Sequence, residues 1–217
     1  MKSESVEEYL EAIFKFNEKG EAAKTAEIAA KLKIAPPSVT EMIKKLADQG
    51  SLTHTPYKGV TLTDSGKIAA LKVIRRHRLW EMFLVEVLHF GWDEIDEEAD
   101  RFEHVMSQKM EDKIDEVLGY PSVDPHGHPI PAKNGSIKNI RTISLSEVEE
   151  GTSVCVTRVN DANAELLRYA SAIGISLNKK IVVRKRIGFD NSLIIKIGNK
   201  EISISSTLAS NVFVESM

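Results

Sequence analysis

Residues 25–66, TAEIAAKLKIAPPSVTEMIKKLADQGSLTHTPYKGVTLTDSG, admit few folds. Residues 25–34 form a short helix with Thr25 as a good N-cap. Residues 35–50 form a second helix, with proline in its first turn and Gly50 as its stop. Residues 51–66 alternate β-formers around Pro56 and Gly59, the pattern of a hairpin. Before them, SVEEYLEAIFKF places apolar residues at 6, 9, 10, 13 and 14, the helical period, with Ser5 and Glu8 spaced as a capping box. Helices joined by a tight turn and followed by a hairpin describe a winged helix-turn-helix. Such a unit offers the N-terminal part of its last helix to a DNA major groove and its wing to the backbone. Val39, Ile43 and Leu46 can pack inward, which leaves Pro37, Ser38, Thr40, Glu41, Lys44 and Lys45 facing out. Lys24 and Thr25 at the head of the preceding helix, and Tyr57 and Lys58 at the hairpin tip, complete the candidate DNA-contacting set. The alternative is a helical hairpin that never meets DNA.

A formal net charge of −3 over 217 residues excludes a globally basic coat, but the charge is uneven. Between Lys24 and Lys67, seven lysines face four acids; between Glu86 and Glu116, twelve acids face Arg101, Lys109 and Lys113. A mildly basic segment followed by a strongly acidic one implies separate partners. Cys155 is the single cysteine, so no intramolecular disulfide is possible, which suits a reducing cytoplasm. The start lacks the apolar stretch of a leader and no run approaches a membrane span, so a soluble cytoplasmic protein without a membrane partner is expected.

From Asp64 to about Leu118 the pattern is helical. Trp80, Phe83, Leu84, Val87 and Leu88 exceed what one small core needs, which predicts a homodimer interface. Residues 119–139, rich in proline and glycine, predict a linker. Beyond it, short β-like runs with one helical piece at 163–175 predict a small barrel. The expected fold is therefore mainly α, with a winged helix at 1–66, a helical dimerisation and metal-binding domain at 67–125, a linker at 126–140 and a β-barrel at 141–217.

The acidic segment carries ADRFEHVM, in which Asp100, Glu103 and His104 share one helix face; Asp96 lies four residues before Asp100. His77 and Glu81 share a face of the preceding helix. Mixed imidazole and carboxylate ligands suit Mn²⁺ or Fe²⁺, with Co²⁺ and Ni²⁺ able to substitute in vitro. A solvated acidic helix face is the alternative. No H-E-x-x-H, G-x-S-x-G or phosphate-cradling loop occurs, so no enzyme is predicted, although a metalloenzyme using the winged helix as an interaction module stays open. His126 and His128, between prolines, are expected to be structural.

Together, a winged helix, HRLWE, EADRFEHVMS and PHGHPIP in that order, and a small barrel resemble the diphtheria toxin repressor family of metal-activated DNA-binding repressors, over nearly the whole chain. The resemblance implies a dimer on operator DNA, metal as corepressor, metal-uptake or homeostasis genes as targets, and an SH3-like barrel of the FeoA type. It implies a primary site of Glu8, Asp100, Glu103 and His104, with Glu11 and His77 added in the manganese-responsive branch. It also implies a second site of His77 and Glu81, with Asp96 where the family has histidine, and it makes Glu165 the candidate ligand from the barrel. Glu8 and Glu11 enter only through the resemblance.

Overall fold

The computed structural model describes residues 4–18, 20–138 and 141–216. The N-terminal unit packs α1 (Glu4–Asn17), α2 (Thr25–Leu32) and α3 (Pro36–Asp48) over a hairpin of β1 (Leu52–Thr55) and β2 (Gly59–Leu62). Leu10, Ile13, Ile28, Val39, Ile43 and Leu46 share its core with Leu52 and Val60. The cap of α2 is Lys24, one residue before Thr25, because the Glu27 carboxylate accepts from the Lys24 N–H at 2.9 Å. Helix α1 is already under way at Glu4, so Ser5 lies inside its first turn and Ser5 with Glu8 is not its capping box.

A single helix, α4 (Asp64–Glu86), runs out of the wing. Thr63 caps it: its Oγ1 accepts from the Gly66 N–H at 3.2 Å and donates to the Gly50 carbonyl at 2.7 Å. A Cβ at Gly66 would stand 1.9 Å from the Ser51 carbonyl oxygen, so only glycine lets the first turn lie against the base of the hairpin. Two short helices, α5 (Asp96–Glu103) and α6 (Gln108–Val117), pack on α4. Leu84 does not serve an interface as its bulk suggested; it is buried with Ile95 and Ala99, the seam that holds α5. Val87 and Leu88 do stay exposed, with Phe90, Phe102, Val105 and Met110.

The C-terminal unit is a six-stranded antiparallel sheet in the order β3-β8-β4-β5-β6-β7. Its strands are β3 (Ile143–Ser144), β4 (Ser153–Val159), β5 (Lys180–Arg186), β6 (Leu193–Ile197), β7 (Lys200–Ile204) and β8 (Val212–Ser216). Two helices, α7 (Ala164–Ala172) and α8 (Ser206–Asn211), close its core. The proline-rich connector is no loose tether. Asp124 Oδ1 accepts from the N–H groups of His126 and His128, both at 2.9 Å, and Val159 N–H donates to the His126 carbonyl at 2.9 Å. Gly127 has φ +94°, and a Cβ there would meet the Thr157 carbonyl oxygen at 2.0 Å, so the loop lies directly on β4. Trp92, from the turn after α4, packs against the barrel core. Among the described residues, no helix is long and apolar enough to cross a membrane.

Arg75 fastens α6 and the connector to α4 from inside. Its guanidinium donates to Glu111 at 2.8 Å, to Asp115 at 2.5 Å and to the Pro131 carbonyl at 2.8 Å, all buried. Arg75→Met leaves two buried carboxylates unpaired. It is expected to cost about 3–5 kcal/mol, read as a lower urea midpoint at unchanged slope.

Candidate metal centre

Helix α4 supplies His77 and Glu81, one turn apart and both buried. Helix α5 lies across them with Asp96, Asp100 and Glu103 on its inner face, and His104 caps its C-terminus. Helix α1 brings Glu4, Glu7, Glu8 and Glu11 to the same region. The 124–128 loop adds Asp124, His126 and His128, and Asp161 arrives just after β4.

His77 is the hub. Its Nδ1 lies 2.7 Å from Glu103 Oε2 and 3.3 Å from Asp100 Oδ1; its Nε2 lies 3.5 Å from Asp96 Oδ1 and 3.6 Å from Glu81 Oε1. Burial alone would lower the imidazole's pKa, but the ring of carboxylates, Asp100 foremost, raises it well above the ordinary range. Asp96 is held below the carboxylate range by its contact with His77.

On the α1 side, Glu4, Glu8 and His104 each bring a ligand atom within 4.8 Å of the others. His104 Nε2 stands 3.2 Å from Glu103 Oε1, while its Nδ1 faces Glu7 Oε2 at 2.9 Å. Glu7 also accepts from Arg76 at 2.6 Å.

On the barrel side, Glu81, Asp124 and His126 form another such group. His126 is fully buried, with Nε2 at 2.7 Å from the Trp92 carbonyl. Its Nδ1 faces Glu81 Oε1 at 3.4 Å without hydrogen-bonding geometry, and both atoms are buried with no hydrogen-bond partner among the described residues. Asp161 Oδ2 lies 4.0 Å from His126 Nδ1 and 3.6 Å from His128 Nδ1. Burial would lower the His126 pKa, but Glu81 raises it to about 9. Burial would raise Glu81, yet His126 and His77 hold it well below the carboxylate range.

The structure thus brings Glu8, His77, Glu81, Asp96, Asp100, Glu103 and His104 together. Glu11 lines the same cleft but pairs with Lys15. Glu165 stands apart: it is exposed in the first turn of α7, and the barrel's acid at the cluster is Asp161, four residues earlier. His126 and His128 belong to the cluster rather than to a spacer. No helical or strand period marks Asp124, His126 or Asp161; the only signal was the density of Asp and His around the prolines. Glu4 and Glu7 were legible only as further acids of an amphipathic helix.

On the outer surface of the winged helix, Pro37, Ser38, Thr40, Glu41, Lys44 and Lys45 are exposed along α3, with Lys24, Tyr57 and Lys58; Thr25 is half-buried. Thr40 Oγ1 donates to the Pro36 carbonyl at 3.1 Å.

Three family models match in chain order. Residues 1–60 match the N-terminal DNA-binding domain of iron-dependent repressors, residues 63–132 their metal-binding and dimerisation domain, and residues 143–216 the FeoA domain. The iron-dependent repressor IdeR of Mycobacterium leprae (strain TN) is 30% identical over 98% of this chain and 97% of its own length. A manganese-dependent transcriptional repressor solved in complex with manganese is 35% identical, with a TM-score of 0.89 over 98% of this chain and all of that one. ScaR with bound Cd²⁺ is 32% identical, with a TM-score of 0.81 over 98% of this chain and 99% of that one.

The raised imidazoles have a consequence for the metal-free protein. A histidine whose folded pKa exceeds its unfolded value of about 6.5 stabilises the fold fully below that pH, and the contribution is lost as pH climbs through the folded value. For His126 the window runs from about 6.5 to about 9. In chelator, the melting temperature should fall across that window. His126→Asn should flatten the fall, which pH-resolved thermal melts can check.

Proposed function

The chain belongs to the iron-dependent repressor family, a family of transcriptional repressors rather than enzymes, and from that premise we propose that the cluster between its domains takes Mn²⁺ or Fe²⁺ as corepressor. The observation that carries the reading is the pair Glu81 Oε1 and His126 Nδ1: two buried ligand atoms, face to face, without a hydrogen-bond partner, beside Asp124 and Asp161. Buried polar atoms without partners cost free energy, and a cation between them would satisfy both. The donor set fits a hard divalent ion, because it is oxygen-rich with imidazole and lacks thiolate.

Two groups would hold ions: Glu8, Asp100, Glu103 and His104 with Glu4 nearby, and Glu81, Asp124, His126 and Asp161. His77 and Asp96 lie between them. A bound divalent cation supplies the positive charge that lets these carboxylates sit together without repulsion. The chain's own residues do the rest. Glu4 and Glu8 belong to the first helix of the DNA-binding unit, and Asp161 belongs to the barrel. Their approach to α4 and α5 fixes how the winged helix sits on the helical domain. Carboxylates that repel leave that placement free, and carboxylates that are neutralised favour one placement.

The winged helix supports readout of a DNA major groove through the head of α3. Pro37, Ser38, Thr40 and Glu41 lie toward the base edges; Lys44 and Lys45, with Lys24, Thr25, Tyr57 and Lys58, lie toward phosphates. Exposed Phe102, Val105 and Met110 on the helical domain suit the two-fold interface of a homodimer, and two winged helices suit a near-palindromic operator. We place the protein in the cytoplasm, with metal-uptake or metal-homeostasis genes as its targets.

The test is fluorescence anisotropy on a duplex enriched from a random pool by Mn²⁺-loaded protein. Mn²⁺ and Fe²⁺ should each tighten binding over chelator by about 5–150-fold. His104→Ala and His126→Ala should remain dimeric by light scattering and lose much of that response. Equal affinity in chelator and in metal would overturn the corepressor reading. Lys44→Ala with Lys45→Ala should weaken binding to all duplexes and lower the salt slope by about 1 per lost phosphate contact.

A further inference from the structure

The first helix carries a cation of its own into the cleft. Lys15 follows Glu11 by one turn, and its Nζ lies 2.8 Å from Glu11 Oε1. Pairs at this spacing on an open helix surface contribute little. This one differs because its acceptor is largely covered, with the Glu11 side chain 13% exposed against 51% for Lys15. Among the described residues, no other cation lies within ion-pair distance of Glu11. The cleft that both residues line also holds Asp96, Asp100 and Asp161. Burial would lower the ammonium's pKa, but Glu11 raises it, with Asp96 and Asp161 adding to the effect.

The four carboxylates of α1 are therefore not equivalent. Glu7 is taken by Arg76 and His104. Glu4 and Glu8 face His104 directly. Glu11, the remaining one, faces the cleft with an ammonium already on it.

We propose that Lys15 is a built-in competitor for Glu11: its ammonium occupies a third α1 carboxylate, beside Glu4 and Glu8, that a divalent ion in the same cleft would recruit, and so sets how much metal is needed before the DNA-binding unit is engaged. The proposal rests on the metal-dependent repressor reading. Lys15 suits the role sterically, because its long stem is half-exposed and can swing its charge into solvent when Glu11 is released. No bond is made or broken; one cation replaces another on a carboxylate. The expected size is that of the ion pair the metal must displace, about threefold in ion affinity for a partly covered pair at this spacing.

The experiment is calorimetric titration of the full-length, metal-free protein with Mn²⁺ alone, which reads ion affinity without DNA. Wild type is compared with Lys15→Met, Lys15→Arg, Glu11→Gln and the double variant Lys15→Met with Glu11→Gln. Methionine keeps the stem and the helix propensity while losing the charge. Lys15→Met should bind at least one Mn²⁺ about threefold more tightly than wild type. Lys15→Arg should stay within about twofold, since it keeps the charge. The gain from Lys15→Met should vanish in the Glu11→Gln background, where there is no carboxylate left to contest. Unchanged or weaker binding in Lys15→Met overturns the proposal while leaving the metal reading intact. So does a gain that persists undiminished with Glu11→Gln, because that is general repulsion rather than competition. Wild type that binds no Mn²⁺ overturns the metal reading, and this proposal with it.

Discussion

Carboxylates at close range repel, and this fold gathers them from α1, α4, α5, a loop and the end of a strand around the imidazoles of His77, His104, His126 and His128. His77 touches four of them from a single ring. In water such a group would disperse. Here α5 is pinned to α4 by Leu84, Ile95 and Ala99, and the loop is pinned to β4 by Gly127 and the His126 carbonyl. Apolar packing and backbone hydrogen bonds therefore oppose the repulsion, and the raised imidazoles offset part of it. What remains unbalanced is concentrated on side chains from α1 and the barrel, the two units that approach α4 from outside.

The legible part of this arrangement was whatever obeys a local period. The three N-terminal helices, the hairpin and α4 follow from apolar spacing and stop residues, and the pairs His77/Glu81 and Asp100/His104 follow from helical geometry. Interface assignment by bulk was less secure: Leu84 is as apolar as Leu88, and only the position of α5 decides which of them is buried. The barrel side of the cluster was not legible, because Glu81, His126 and Asp161 meet only through tertiary folding. Glu165 was the candidate that the resemblance offered from the barrel, yet it is exposed in the first turn of α7, and Asp161 is the acid beside His126 and His128. Proline and glycine around His126 and His128 suggested slackness, whereas in the folded chain they shape a tight turn held by Asp124.

The barrel is more than an appendage. Trp92 lodges against its core while its own carbonyl holds His126, and Arg168 reaches Asp93 at 3.5 Å. Docking of the barrel and orientation of the His126 ring are thus one structural event. Loss of the Trp92 contact would be felt first at the imidazole, not in the sheet.

Helix α4 joins these regions without a break. Its first turn is fastened to the base of the wing by Thr63 and Gly66, and His77 and Glu81 stand past its midpoint. The thirteen residue steps from Asp64 to His77 make an arm of roughly 20 Å. An arm of that length is a lever: a tilt of about 5° where the acids gather sweeps the wing through about 1.7 Å. Hydrogen bonds to phosphate or base tolerate only a few tenths of an ångström. A rearrangement too small to notice around His77 is therefore large enough, at the far end of the helix, to decide whether the wing meets DNA at all.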